Sequence, residues 1–142
     1  MIAMTVNELA RRARVAPHVV RYYARIGLLR AVRQPGSGYR LFTERECRRL
    51  RFIRQAQALG FSLAEIGAIL EEGDQGKSPC PRVRDILRRR IKENEETLKD
   101  LIRLQERMQK ALKTWAKMPD GLPDGETVCH LIEAVGDSDT TC

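Results

Sequence analysis

Residues 5–29 read TVNELARRARVAPHVVRYYARIGLL, and the fold turns on whether this stretch is one helix or two. Thr5 to Glu8 has the S/T-x-x-E form of a capping box, in which the hydroxyl accepts from an orphan backbone N–H and the Glu reaches back to the cap. That predicts a helix over 6–13. Pro17 suits the first turn of a second helix, where its missing N–H costs nothing, and Gly27 is a natural stop. The second helix therefore spans 17–26. About three residues separate the two, so the pair reads as a helix-turn-helix.

The same signature recurs outward along the chain. Thr43 to Glu46 and Ser62 to Glu65 repeat the box and predict helices over 44–59 and 63–71. The first of these puts Cys47, Leu50, Phe52 and Ile53 on its inner side, and the second Ile66, Ile69 and Leu70. Between the helix pairs, LLRAVRQPGSGYRLF (28–42) holds two strand-like runs around a Pro/Gly cluster, which predicts a hairpin. A β-ribbon after a helix-turn-helix is a wing, here carrying Arg30, Arg33, Tyr39 and Arg40.

GDQGKSP (73–79) reads as a linker. From 79 to 117 there is no internal Gly, and Pro occurs only at the start. Leu87, Ile91, Asn94, Leu98, Leu101, Gln105, Met108, Leu112 and Trp115 recur at alternating spacings of four and three, an a/d seam with Arg, Lys and Glu on its flanks. Such a helix is about 58 Å long, too long for the head to cover. It predicts a homodimeric coiled coil, with Asn94 and Gln105 as polar seam positions that fix register. After Met118, two P-D-G turns form a loop, VCHLIEAV (128–135) reads as a short helical turn, and the last seven residues as a flexible tail. The expected class is mostly α. Residues 1–74 form a winged helix DNA-binding domain with a second helix pair, 75–118 a linker and dimerisation helix, and 119–142 a loop and tail.

Charge supports a nucleic-acid partner. Residues 1–60 hold thirteen Arg against three Glu, a net +10 in a chain of net +7, so the basic head meets a polyanion and the rest is mildly acidic. No apolar run reaches the roughly 18 residues of a membrane span. MIAMTVNELA lacks the basic flank and apolar stretch of a signal peptide, so a cytoplasmic protein with reduced thiols is expected. Cysteines at 47, 80, 129 and 142 offer no disulfide framework and no C-x-x-C knuckle. Without a Gly-rich phosphate loop or a recognisable nucleophile–His spacing, no enzyme is expected.

In order along the chain, TVNELARRARVAPHVVRYYARIGLL with its R-Y-Y and G-L-L elements, GYRLF and LRFIRQAQALGFSLAEIGAIL resemble the MerR family of bacterial transcription regulators over residues 4–70. The resemblance implies a homodimer on a palindromic operator within promoter DNA whose −35 and −10 elements are too far apart. Effector binding then distorts the DNA and realigns the elements for RNA polymerase, by indirect readout. In that frame Arg21 is the best single DNA contact. His18 is either a second contact or a solvated histidine. Tyr22 and Tyr23 cannot share a face, so one packs inside and the other reaches a phosphate. Tyr39 and Arg40 meet the backbone beside a flanking minor groove, and Arg54 adds a phosphate contact. Arg11, Arg12 and Arg48 are expected to be solvated, and Cys47 to be a packed thiol.

Cys80, with Ser78 as cap, opens the long helix, where a helix N-terminus favours the thiolate. The resemblance places a cysteine there in sensors of divalent metals, and Cys129 in CHLIE matches the family's tail-loop cysteine. About 52 Å of helix separates Cys80 from Trp115. An antiparallel coiled coil would set Cys80 of one chain beside the partner's Cys129. The family's third cysteine is here Trp115, so a further ligand must come from His130, Asp120, Asp124, Glu126 or Cys142. Cys80, Cys129 and His130 form a partial set for zinc, mercury, lead, cadmium or copper. Two thiolates alone suit a soft monovalent ion, but the family's sensors of that kind have Ser at the position of Cys80. Two other readings stay open: a Cys80–Cys129 redox switch, and an apolar pocket at Trp115 for an organic effector.

Overall fold

The computed structural model describes residues 3–135, in two compact units that divide between Leu87 and Arg88. The tail expectation and the candidate ligand Cys142 lie outside the described residues. In the first unit α1 (Val6–Ala13) and α2 (Pro17–Arg25) form the helix-turn-helix. The Thr5 hydroxyl accepts from the Glu8 N–H at 3.2 Å. No glycine ends α1. Arg14 takes the left-handed conformation at φ 57°, and the Val15 N–H closes on the Ala10 carbonyl at 3.0 Å, a stop that satisfies orphan carbonyls at the cost of a strained non-Gly residue. Pro17 opens α2, and Gly27 follows its end at φ 87°.

The wing is an antiparallel ribbon of β1 (Val32–Arg33) and β2 (Arg40–Leu41), with Val32 opposite Leu41 and Arg33 opposite Arg40. Its second strand is extended by a bridge in which Met4 and Phe42 exchange backbone hydrogen bonds of 2.6 and 2.7 Å. This ties the chain's start to the wing. Leu9, Val20, Leu29 and Phe42 bury completely or nearly so against Leu50, Ile53 and Ile66 of α3 (Glu44–Ala58) and α4 (Leu63–Asp74). These four helices thus contribute their apolar stripes to one core.

Of the three expected capping boxes, Ser62–Glu65 is complete, with reciprocal bonds of 3.1 and 2.8 Å. The one at Thr43 does not form. Its Glu46 turns inward, is only 3% exposed, and accepts from the Arg30 N–H and from Arg45 Nη1, both at 3.0 Å. A buried carboxylate needs such partners, and the wing root supplies one. One further expectation is corrected. Phe52 stays exposed, because Ala56 continues the inner stripe after Ile53. Arg12 is solvated as expected, and its guanidinium also pairs with Glu44 across α1 and α3.

Helix α5 (Cys80–Trp115) begins in the first unit, where Ile86 is buried and Val83 and Leu87 pack against the head core. The first seam position, Leu87, therefore serves the head. Ser78 lies just ahead of the cap. Pro79 supplies the first helical carbonyl to Val83, while the Ser78 hydroxyl accepts from the Cys80 N–H at 3.4 Å. In the second unit Ile91, Leu98, Leu101, Met108 and Leu112 form an exposed apolar row. Ile102 and Leu104, also exposed, widen it on both flanks. A short helix, α6 (His130–Glu133), follows the loop. No helix among the described residues is long and apolar enough to cross a membrane.

Candidate functional site

His18, Arg21, Tyr22 and Arg25 recur at i, i+3, i+4 and i+7, so one face of α2 carries all four. With Arg40 of the wing they line a groove of about 460 Å³. A neighbouring groove of about 550 Å³ runs between the start of α1 (Thr5, Val6, Asn7) and the wing (Gly38, Tyr39, Arg40), with Arg21 again in its wall. Arg21 and Arg40 are common to both. The structure thus brings together His18, Arg21, Tyr22, Tyr39 and Arg40. Arg54 is exposed on α3 and lines neither groove.

The two tyrosines divide as their adjacency requires. Tyr23 is buried and donates its hydroxyl to Gln57 Oε1 at 3.1 Å. Tyr22 is exposed, and the Arg25 guanidinium sits 5.2 Å from its ring centroid. That cation–π contact holds a second arginine on the groove. Arg25 was missed in the sequence because it is the last residue of α2, although its spacing of four from Arg21 signals the shared face. In the wing, Arg33 and Arg40 are directly opposed. Like charges so placed repel, and a bound phosphate between them would remove the repulsion.

The thiols are distributed differently. Cys47 is buried in the head core. Cys80 is exposed at the first position of α5. In the second unit Cys129 is partly buried and caps α6. Glu133 folds back to accept from the Cys129 and Val128 N–H groups at 3.1 and 3.4 Å. His130 is also partly buried, its ring against Gly121. Asp124 is occupied locally. It accepts from the Glu126 and Thr127 N–H groups at 2.7 Å each, bonds that hold its carboxyl below the usual range. Among the described residues no three His, Cys, Asp or Glu side chains converge to hold a metal ion.

Comparison with known proteins agrees with this arrangement. Residues 4–73 match the family described as MerR HTH family regulatory protein, and residues 47–111 the family described as MerR, DNA binding. The chain is 34% identical over 132 residues to a mercuric resistance operon regulatory protein from Bacillus cereus, covering 92% of this chain and 95% of that one. It is 31% identical over 131 residues to the HTH-type transcriptional regulator ZntR from Escherichia coli K12, covering 92% and 90%. In fold it is similar to the transcription regulator PbrR691 from Ralstonia metallidurans CH34 in complex with lead(II), with a TM-score of 0.74 at 23% identity over 94% of this chain and 99% of that chain. A DNA-facing helix-turn-helix and wing, matched along nearly the whole chain by such relatives, make this protein a member of the MerR family of transcriptional regulators, not an enzyme.

Proposed function

We propose that the chain is a homodimeric regulator that holds a promoter silent and activates it for RNA polymerase when a soft or divalent metal ion binds. One observation carries the reading. The exposed Cys80 thiol opens a helix whose first turns are anchored in the DNA-binding head, so a ligand there acts on the head directly. The relative named for mercuric resistance and the neighbour holding lead(II) support a thiophilic ion.

The exposed row on α5 supplies the dimer. Each of its large side chains is worth roughly 1.5–3 kcal/mol on full burial, which a second copy of the same seam provides. Antiparallel pairing sets Cys80 of one chain beside the partner's Cys129. His130 is the third donor, because it neighbours Cys129 while Asp124 is committed to its turn. Thiolate and imidazole suit zinc, mercury, lead, cadmium or copper. The bound ion ties the start of one α5 to the tail of the other. The work required, DNA deformation, is on the order of 1–6 kcal/mol by elastic estimates. DNA contacts fall to Arg21, His18 and Tyr22 of α2 and to Tyr39 and Arg40 of the wing, with Arg54 as an outlying phosphate contact.

In-vitro transcription from a spaced palindromic promoter tests the switch. Mercury(II), lead(II) or zinc should activate wild type, while Cys80→Ser occupies the operator without activating. Metal-independent activation by both proteins would refute it. A second reading rests on a cavity of about 500 Å³ lined by Arg107, Lys110, Ala111, Thr114, Trp115, Ala134 and Val135, where an aromatic wall beside two cations suits an organic anion.

A further inference from the structure

Two α3 side chains grip the root of the wing. Arg49 Nε donates to the Leu28 carbonyl at 2.8 Å, and the Arg30 N–H donates to Glu46 at 3.0 Å, so both backbone groups flanking the buried Leu29 are held. Neither side chain belongs to the DNA-facing grooves. Glu46 is buried, and the Arg49 side chain is only 10% exposed.

The grip extends to α4. Arg49 Nη1 and Arg45 Nη2 both donate to Asp74 Oδ1, at 2.9 and 3.1 Å, and Arg45 Nη1 closes the ring on Glu46. Asp74 is the last residue of α4, where the helix dipole disfavours an anion. Its two arginines account for its presence. Two residues earlier, Glu72 pairs with Arg82 in the first turn of α5, beside Cys80. The last turn of α4 is thus bonded on one side to the start of α5 and on the other, through Arg45 and Arg49 of α3, to the side chains that hold the wing root. A ribbon with two residues per strand cannot hold its own orientation; its attachments must do so.

We propose that Asp74 and Arg49 are positioning residues that join the first turn of α5 to the wing root, so that movement of that turn changes how the wing meets the DNA backbone. The proposal rests on the effector reading only for what moves α5; the grip on the wing stands apart from it.

The test uses the full-length chain on palindromic DNA selected by wild type, with hydroxyl-radical footprints taken with and without zinc. Asp74→Ala should lose protection at the outer flanks, under the wing, and keep it under α2. The salt dependence of log affinity should fall by about 0.9 for each phosphate that the wing no longer neutralises. Its thermal midpoint should fall by no more than the lost Asp74 pairs account for, and Asp74→Glu should restore the flanks. In wild type zinc should alter the flank pattern, whereas Asp74→Ala should bind the same zinc without that change. An unchanged footprint, or one weakened uniformly in step with reduced thermal stability, would overturn the proposal. If zinc, mercury(II) and lead(II) all leave the wild-type footprint unchanged, the metal reading fails, and the metal-free flank comparison still decides the grip.

Discussion

Gly121 lies against the His130 ring: a methyl group on its Cα would sit 2.3 Å from Nδ1. That separation is far inside van der Waals contact, so the imidazole must turn away if residue 121 carries a side chain. Gly121→Ala should therefore weaken metal binding, if His130 is a ligand, without changing operator affinity. Competition with a chelator of known affinity checks this. Equal metal affinity in Gly121→Ala and wild type would remove His130 from the donor set.

Leu98 stands near the midpoint of α5 on its exposed row. In an antiparallel pair the two copies of Leu98 approach each other, so Leu98→Lys buries two like charges where two leucines met. Sedimentation at micromolar concentration should show monomers. A spin label at position 98 should report a short intersubunit distance, and a separation of tens of ångströms would rule out antiparallel pairing.

Arg21 reaches both grooves of the head. Arg21→Ala should cost about 1–3 kcal/mol of specific binding if it reads a base edge, and the loss should fall on operator DNA rather than on random DNA. Fluorescence anisotropy at fixed salt, on both duplexes, separates the two. Arg25→Ala should have a smaller and less sequence-dependent effect, as befits a phosphate contact.

The helix order was legible because periodicity, Pro17, Gly27 and the S/T-x-x-E boxes are local signals. What lay beyond it depended on tertiary partners. Glu46 sits at a cap position in sequence, yet the Arg30 N–H draws it inward. Arg12 finds Glu44 thirty-two residues away, a pairing no spacing announces. Leu87 scans as the start of the seam but packs on the head, because Val83 and Ile86 bring that turn of α5 into the core. Of the residues that line the head grooves, Arg21, Tyr39 and Arg40 were legible in the winged-helix pattern, whereas Arg25 and the start of α1 emerge only once the wing is placed beside them.

Acid should loosen the head. The Arg49 hydrogen bond holds the Asp74 carboxyl below its ordinary 3.8, and the Arg12 hydrogen bond holds Glu44 below 4.5. A depressed folded value means stability present above the unfolded pKa and lost as pH falls through the folded one. Both contributions are therefore intact at neutral pH, begin to fall as pH drops past the ordinary values of 3.8 and 4.5, and are gone only below the lowered folded values. Urea midpoints between pH 7 and pH 3 should fall less steeply for Asp74→Asn than for wild type. Parallel curves would mean that the Asp74 pairs add nothing measurable.

The proposed shared metal site makes the sharpest demand. Cys80→Ser and Cys129→Ser should each still occupy the operator, because the DNA contacts lie in the head, and each should fail to activate with metal. Cys47→Ala should remain inducible if it folds, since its thiol is buried packing. A heterodimer of one Cys80→Ser chain and one Cys129→Ser chain keeps one complete site, built from the intact Cys80 of one chain and the partner's Cys129, and loses the other. It should bind about half the metal of the wild-type dimer, the ratio that two independent sites require. A site within each chain would leave none. Elemental analysis of the anaerobically purified heterodimer distinguishes the two. Were wild type to bind no metal and instead form a Cys80–Cys129 disulfide between chains under mild oxidant, the same two residues would be a redox switch.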